Sequence, residues 1–161
     1  MSDKYLELAN SKFGKSLLSM IGLPEPVALR REAPDSPHRL HSDIRIGSSS
    51  GAVFDDLINS ALDSTEVNIV ALETDAKSNL IFDASGIANI DQSAELYEFF
   101  HQFLPKLERC GRIVIVGHKP SALEDTEHAT LQRGLVGFVK SVAKEIGRKG
   151  ATANLLCVDS G

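Results

Sequence analysis

The chain has 161 residues, of which 42% are hydrophobic, and this is enough for one domain with a buried core. Its formal net charge of −5 excludes the basic surface with which proteins bind nucleic acids or anionic membranes. No stretch reaches the ~20 apolar residues of a membrane helix, and the charged N-terminus does not resemble a signal peptide. The two cysteines are far apart in sequence. We therefore expect a soluble cytosolic protein with reduced thiols.

The first 42 residues form a separate N-terminal part. Apolar residues recur with helical spacing over residues 4–21, which predicts a helix that ends near Gly22. Residues 23–42 contain four of the six prolines and therefore favour an irregular arm. Leu and Val residues recur in this arm, so we expect it to pack on the body of the protein rather than to form a solvated tail.

From Asp43 onward, strand and helix patterns alternate up to the end of the chain. Strands are predicted over residues 43–47, 66–72, 79–83, 111–117 and 151–158, the last of which is expected to bury Cys157. Helices are predicted after the first strand, over 91–107 with Asp91 as N-cap, and over about 124–148. This alternation predicts an α/β domain over residues 43–161 with a doubly wound parallel sheet. Such folds usually continue into another helix after the last strand, so we expect the chain to be part of a longer polypeptide.

The loop after the first strand has the composition of a phosphate-binding turn. It reads IGSSSGAVFDDL from residue 46, with three serines (Ser48, Ser49 and Ser50) between Gly47 and Gly51. Backbone N–H groups of such a loop, together with the N-terminus of the next helix, can bind a phosphate. Glu73 stands near the position of a ribose-binding acid. Val53, however, takes the place of the third glycine of a dinucleotide-binding loop, and any α/β fold needs a tight turn here, so a structural turn is the favoured interpretation.

The same loop also resembles the phosphate loop of flavodoxins, in which hydroxyl side chains hold the phosphate of FMN. Flavin sites of that kind enclose the ring between aromatic side chains from the loops after the third and fourth strands. The corresponding loops here, residues 83–91 and 117–128, contain no Phe, Tyr or Trp. We therefore expect no bound FMN.

The last fifty residues carry a more specific resemblance. Segments 110–117 (CGRIVIVG) and 132–156 (QRGLVGFVKSVAKEIGRKGATANLL) are similar to the fifth strand, long helix and sixth strand of short-chain dehydrogenases/reductases, especially 3-oxoacyl-(acyl-carrier-protein) reductases. Segment 82–86 (FDASG) stands where that family has its Asn-Asn-Ala-Gly turn. Segments 22–31 (GLPEPVALRR) and 99–117 (FFHQFLPKLERCGRIVIVG) resemble more narrowly the N-terminal domain of the high-molecular-weight 3-oxoacyl-ACP reductases, in which a degenerate flavodoxin-like domain precedes a complete reductase domain.

This resemblance also bears on the order of the strands. Only one predicted strand separates the first strand from the FDASG strand, whereas a complete reductase has two. The missing unit favours five parallel strands in the flavodoxin-like order 2-1-3-4-5 over the six-stranded dinucleotide-binding order.

The resemblance further implies where the catalytic residues of the family would lie. In the family, a tyrosine donates a proton to the substrate carbonyl, a lysine four residues later lowers the pKa of that tyrosine and holds the cofactor ribose, and a serine polarises the carbonyl. Alignment on the Gly-Phe pair at 137–138 places His128 at the tyrosine position and Gln132 at the lysine position. The serine position falls on His118 or its neighbour Gly117, and Asp83 opens the asparagine turn.

All four catalytic positions are thus changed. A histidine can donate a proton, so His128 and His118 are candidates for a substitute acid pair. Gln132, however, supplies neither the positive charge that tunes the tyrosine nor the ammonium that grips a ribose. We therefore expect no catalytic, cofactor-binding or metal-binding residues on this segment.

The function implied by the resemblance is that of a non-catalytic structural or assembly domain. The catalytic domain would lie beyond Gly161 and would reduce 3-oxoacyl thioesters of acyl carrier protein or CoA with NADH or NADPH, in fatty acid metabolism. Its implied partners are that reductase domain and further copies of the chain, with no nucleic acid and no membrane. The alternative is a stand-alone nucleotide-binding module or residual oxidoreductase that uses the Gly47–Gly51 loop.

The apolar residues of the two long predicted helices are spread too widely around each helix to face one sheet alone. The residues in question are Tyr97, Phe100, Phe103, Leu131, Leu135 and Val139. They are either core residues or an interface to a second copy or to the reductase domain. If they form an interface, a charged residue at position 135 or 139 should break the assembly and leave the monomer folded.

Overall fold

A computed structural model of the chain describes residues 4–22, 27–30 and 43–159. The chain divides into two compact units, residues 1–31 and residues 32–161. No helix among the described residues is long and apolar enough to cross a membrane.

The first unit contains two short helices instead of the single helix predicted over residues 4–21. Helix α1 spans Lys4–Asn10 and helix α2 spans Lys12–Met20. Ser11 separates them, because its hydroxyl accepts a hydrogen bond from the Gly14 N–H at 3.0 Å and donates one to the Leu8 carbonyl at 2.6 Å. This is the geometry of an N-cap, which begins a new helix. Most of the predicted arm at 23–42 lies outside the described residues.

The second unit is an α/β domain with an all-parallel sheet, as the alternating pattern predicts. Its four strands are Ile44–Ser48 (β1), Asn79–Asp83 (β2), Arg112–His118 (β3) and Thr152–Val158 (β4), in the spatial order β1-β2-β3-β4. The helices are Asp55–Asp63 (α3), Ser93–Phe103 (α4) and Thr126–Ile146 (α5). The start of α4 differs from the prediction, because its N-cap position is occupied by Gln92 rather than Asp91, and that side chain does not bond the first turn of the helix.

Residues 66–72, which are predicted as the second of five strands, form only a single bridge with β1. Ile44 donates its N–H to the Asn68 carbonyl and accepts from the Val70 N–H, both at 2.9 Å. The ladder stops there because the chain turns at Ala71, whose carbonyl accepts from the Thr74 N–H. The sheet therefore has four strands, and the five-stranded order 2-1-3-4-5 is not seen.

Helices cover both faces of the sheet, but unequally. On one face, α4 and α5 pack against apolar side chains of β2 and β3 around Phe82 and Ile115. On the other face, Phe54 and Ile58 at the start of α3 pack against Val116. A parallel sheet is normally covered on both faces, and only α3 provides a helix on the second one among the described residues.

Most of the apolar residues considered for an interface lie in the core. Phe100, Phe103, Leu135 and Val139 are buried, and all four belong to the cluster between the sheet and the two helices. The interface prediction for Leu135 and Val139 is therefore wrong. The reason is that α4 and α5 pack against each other as well as on the sheet, as the 5.2 Å contact between the rings of Phe100 and Phe138 shows, so their buried surface is wider than one sheet alone requires.

The predicted burial of Cys157 is also wrong. Cys157 lies in β4 as expected, but its side chain is exposed because β4 is the edge strand of the sheet. Cys157 is not in a disulfide.

A buried arginine covers β1 on the α4 side. Arg45 is 0% exposed, and its guanidinium donates to the Thr74 carbonyl at 2.9 Å and to the Ser78 hydroxyl at 3.1 Å. The same group lies 4.5 Å from the centre of the Phe103 ring, within cation–π range. Arg45 thus anchors the loop that connects the bridge segment to β2 and packs against the last residue of α4.

Candidate functional site

The loop after β1 uses its backbone N–H groups within the protein. Ser49 donates to the Asp83 carbonyl, Ala52 to the Ser49 carbonyl, and Val53 to the hydroxyl of Ser85, at distances of 2.9–3.0 Å. Gly86 approaches this loop so closely that a Cβ atom there would collide with the Ser50 carbonyl oxygen. The loop is therefore held against β2 by hydrogen bonds and by close packing of two backbones.

A carboxylate of the protein itself bonds the serine-rich loop. Glu95, in the first turn of α4, accepts from the Ser50 N–H at 2.5 Å and from the Ser50 hydroxyl at 2.8 Å. Gln92 adds a hydrogen bond from its amide to the Ser50 carbonyl at 3.1 Å. Two donor groups of the loop, the N–H and the hydroxyl of Ser50, are thus used within the protein.

Asp83 has a structural role at the end of β2. Its carboxylate accepts from the Phe54 N–H at 2.7 Å and from the Ser85 N–H at 2.9 Å, and the residue is fully buried. One carboxylate oxygen thus bonds the backbone N–H of Phe54, the residue before α3, and the other oxygen stabilises the turn after β2. Negative charge at a helix N-terminus is favourable, and the Asp83 carboxylate lies at the N-terminus of α3.

Gln132 also has a structural role. Its side chain is almost completely buried and accepts from the His118 N–H at 2.8 Å through Oε1. Its Nε2 donates to the carbonyls of Ala84 at 2.8 Å and Ile87 at 3.2 Å. Gly117 makes room for this amide, because a Cβ there would lie 2.6 Å from Oε1. Gln132 therefore links α5 to the ends of both central strands.

Two histidines lie next to each other at the same edge of the sheet. The rings of His118 and His128 are 5.4 Å apart and perpendicular, and His118 also lies 4.9 Å from the ring of Phe54. The Nε2 atom of His128 lies 3.1 Å from the Ser85 carbonyl oxygen and therefore carries the proton of that hydrogen bond. Burial lowers the pKa of His118, the neighbouring His128 lowers it further, and the carboxylate of Asp83 opposes both effects.

The fold therefore brings together all four positions that the family resemblance assigns to catalysis. His128, Gln132, His118 and Asp83 meet at the carboxyl end of β2 and β3. The rings of the two histidines contact each other, and the amide and the carboxylate beside them already bond the backbone. Among residues 4–22, 27–30 and 43–159, no group of three or more His, Cys, Asp or Glu side chains is arranged to hold a metal ion.

Glu73 does not reach this edge. It is exposed and lies in the turn that follows the bridge segment. The next residue, Thr74, is bonded to Arg45 near the amino end of β1, whereas the serine-rich loop follows the carboxyl end. The structure therefore separates Glu73 from the loop with which a ribose-binding acid would act.

A second surface feature lies between α4 and α5. It is a groove of about 570 Å³ whose floor is formed by Phe100, Leu104, Phe138, Val142 and Ile146. Tyr97 and His101, whose rings stack 5.4 Å apart, lie on one rim, and Tyr97 is 62% exposed. Six residues were predicted to form either core or an interface, and Tyr97 is the one among them that is exposed. It lies beside this groove.

The sequence alone did not predict the roles of Glu95, which bonds the loop after β1, and Arg45, which bonds the loop before β2. Glu95 and Arg45 have no motif around them, and a glutamate in the first turn of a helix or an arginine in a strand is ordinarily a solvated residue. A charged residue inside the otherwise apolar strand pattern IRIG was the one available signal for Arg45. For Glu95 there was none, because its partner Ser50 is 45 residues away in sequence.

Comparison with known proteins adds no relatives. Neither a model of a known protein family nor a curated protein sequence matches the chain.

Proposed function

We propose that residues 1–161 are the non-catalytic N-terminal structural and assembly domain of a longer 3-oxoacyl-(acyl-carrier-protein) or 3-oxoacyl-CoA reductase. The reductase domain would follow Gly161 and would reduce 3-oxoacyl thioesters with NADH or NADPH. The whole polypeptide would be a cytoplasmic, oligomeric enzyme of fatty acid metabolism. The segment itself would bind neither substrate nor cofactor.

One observation carries the non-catalytic part of this proposal: the polar side chains at the carboxyl edge already bond backbone groups of the domain. Glu95 accepts from the Ser50 N–H of the loop, Asp83 accepts from two backbone N–H groups, and Gln132 bonds three backbone groups. A nucleotide phosphate would have to displace a carboxylate that is covalently part of the domain. It would also meet Asp55 and Asp56, two further negative charges in the first turn of α3.

The fold proposal is a degenerate flavodoxin-like sheet in which residues 66–72 are the remnant of a second strand. The hydrogen bonds of Ile44 to Asn68 and Val70 support it, because these residues lie beside β1 on the side away from β2. That is the edge position which the order 2-1-3-4-5 assigns to the second strand.

The α4–α5 groove is the surface that we assign to the reductase domain. Its apolar floor and the exposed Tyr97 at its rim are typical of a protein contact, in which aromatic side chains provide much of the binding energy. Replacement of Tyr97 by Asp should then prevent co-purification of residues 1–161 with the separately expressed reductase domain. Unchanged co-purification would remove the groove from the proposal.

Titration with nucleotides tests the non-catalytic role directly. Calorimetry of residues 1–161 with NADH, NADPH and FMN should give no binding. A dissociation constant in the low micromolar range, which corresponds to about −8 kcal/mol, would instead support the nucleotide-binding alternative. In that case, the Glu95→Lys variant, which places a cation in the loop, should bind more tightly than the natural protein if the loop is the site.

The reductase part of the proposal is tested by the gene. A reading frame that continues into a second Gly-rich loop, followed by a Tyr-x-x-x-Lys motif, is expected. Its full-length product should oxidise NADPH or NADH with a 3-oxoacyl thioester, and replacement of His128 by Phe should leave this rate unchanged. A frame that stops near Gly161 would refute the reductase assignment.

A further inference from the structure

The free edge of the sheet is an unprotected strand. β4 has the sequence TANLLCV, which contains neither a charged residue nor a proline, and it pairs with β3 on one side. Natural sheets usually protect such edges with lysine, proline or a bulge, because the unpaired N–H and C=O groups attract another strand. None of these devices is present in β4.

The register of β4 shows which backbone groups point outward. The Thr152 N–H donates to the Gly111 carbonyl, and the Val158 carbonyl accepts from the Lys119 N–H. The backbone N–H and C=O groups of the even-numbered residues of β4 therefore point towards β3. Because the direction alternates along a strand, the N–H and C=O groups of Ala153, Leu155 and Cys157 point away from the sheet. No hydrogen bond from another described segment reaches these groups.

We propose that β4 pairs with β4 of a second copy of this chain, in antiparallel orientation across a two-fold axis at Leu155. Such an axis places Ala153 opposite Cys157 of the second copy and Leu155 opposite its own counterpart. Each of the three outward residues then exchanges two hydrogen bonds with its partner, which gives six bonds and joins the two sheets into one. This inference does not depend on the proposed reductase function.

Charge and side-chain placement favour a second copy as the occupant. The paired strands themselves carry no charge, so the two-fold axis brings no like charges together. At each end, the axis brings Asp159 of one copy, which also pairs with Lys119 of its own chain at 2.7 Å, towards Arg148 in the turn at 147–150 of the other copy. On the α3 side, Leu156, which is 52% exposed, comes to lie opposite Asn154 of the second copy.

This last pairing provides a cross-linking test of the register. Asn154 and Leu156 are exposed and would form a pair without backbone hydrogen bonds, with Cα atoms about 4.5 Å apart. A disulfide tolerates Cα separations of about 4.4–6.8 Å. We therefore consider two single variants, Asn154→Cys and Leu156→Cys, each in a Cys157→Ser background.

Under mild oxidation, an equimolar mixture of the two variants should form a disulfide-linked dimer, whereas either variant alone should remain largely uncross-linked. Peptide mass spectrometry should identify the bond between positions 154 and 156. Sedimentation of the natural protein should show a dimer that becomes more abundant with concentration, and Cys157→Pro, which removes one outward N–H, should reduce it. A monomer at all concentrations, or a mixture that cross-links no better than the single variants, would overturn the proposal, even if Cys157→Pro fails to fold.

Discussion

Replacement of Gln132 by Met tests whether this buried residue is part of the structural framework of the domain. Methionine has nearly the same helix propensity and a similar length, so the change removes mainly the hydrogen bonds of the amide. Three bonds are lost: from the His118 N–H to Oε1, and from Nε2 to the carbonyls of Ala84 and Ile87. The Ala84 carbonyl keeps a second bond, from the Ile87 N–H at 3.1 Å, and should be affected least.

The magnitude follows from these contacts. Each buried polar group that loses its partner costs about 1–3 kcal/mol, and two groups, the His118 N–H and the Ile87 carbonyl, are affected most. The thioether of methionine recovers part of this through packing. We therefore expect Gln132→Met to lower the free energy of unfolding by about 2–4 kcal/mol.

Urea denaturation followed by circular dichroism measures this loss. The matched control is Gln102→Met on the exposed side of α4, which should change the free energy of unfolding by less than about 0.5 kcal/mol. A loss below about 1 kcal/mol for Gln132→Met would show that the amide is not needed for the fold. The interpretation of this edge as a structural remnant would then lose its main support.

Three further predictions concern other parts of the domain. Arg45→Lys should lower the free energy of unfolding by about 2 kcal/mol or more, because one ammonium cannot reach both Thr74 and Ser78 as the guanidinium does. Thermal melting measures this loss. The control is Arg112→Lys at an exposed position, and an equal loss of stability in this control would contradict the prediction. Because the pKa of His118 is lowered in the folded protein from 6.5, the unfolded chain binds the proton first, so stability should fall as the pH decreases through 6.5. Urea midpoints between pH 7.5 and 5.5 should fall more steeply for the natural protein than for His118→Gln, and parallel curves would refute this. Leu135→Asp should unfold the domain, because Leu135 is buried, whereas Tyr97→Asp at an exposed position should leave the circular dichroism spectrum and the melting temperature nearly unchanged. A folded, soluble Leu135→Asp variant would show that the Leu135 side chain is not part of the core.

The sequence by itself determined the class of fold and most of its elements. Strands 79–83 and 111–117 were predicted within one residue of β2 and β3, because continuous β-branched and apolar runs are typical of strands covered on both faces. The buried face of α4, from Leu96 to Phe103, was likewise visible in its helical spacing. These properties depend on local patterns of hydrophobicity, which the chain carries wherever it folds.

The tertiary structure decided how the polar residues are used. The serine-rich loop bonds Glu95, which lies 45 residues from Ser50 in sequence and meets it only because α4 packs beside β1. The strand predicted at 66–72 is reduced to one bridge because the chain turns at Ala71, and Thr74 after this turn bonds Arg45, which is 29 residues away in sequence. Hydrogen bonds and charges act over a few ångströms between residues that are distant in sequence, and no periodic pattern records which of them will meet.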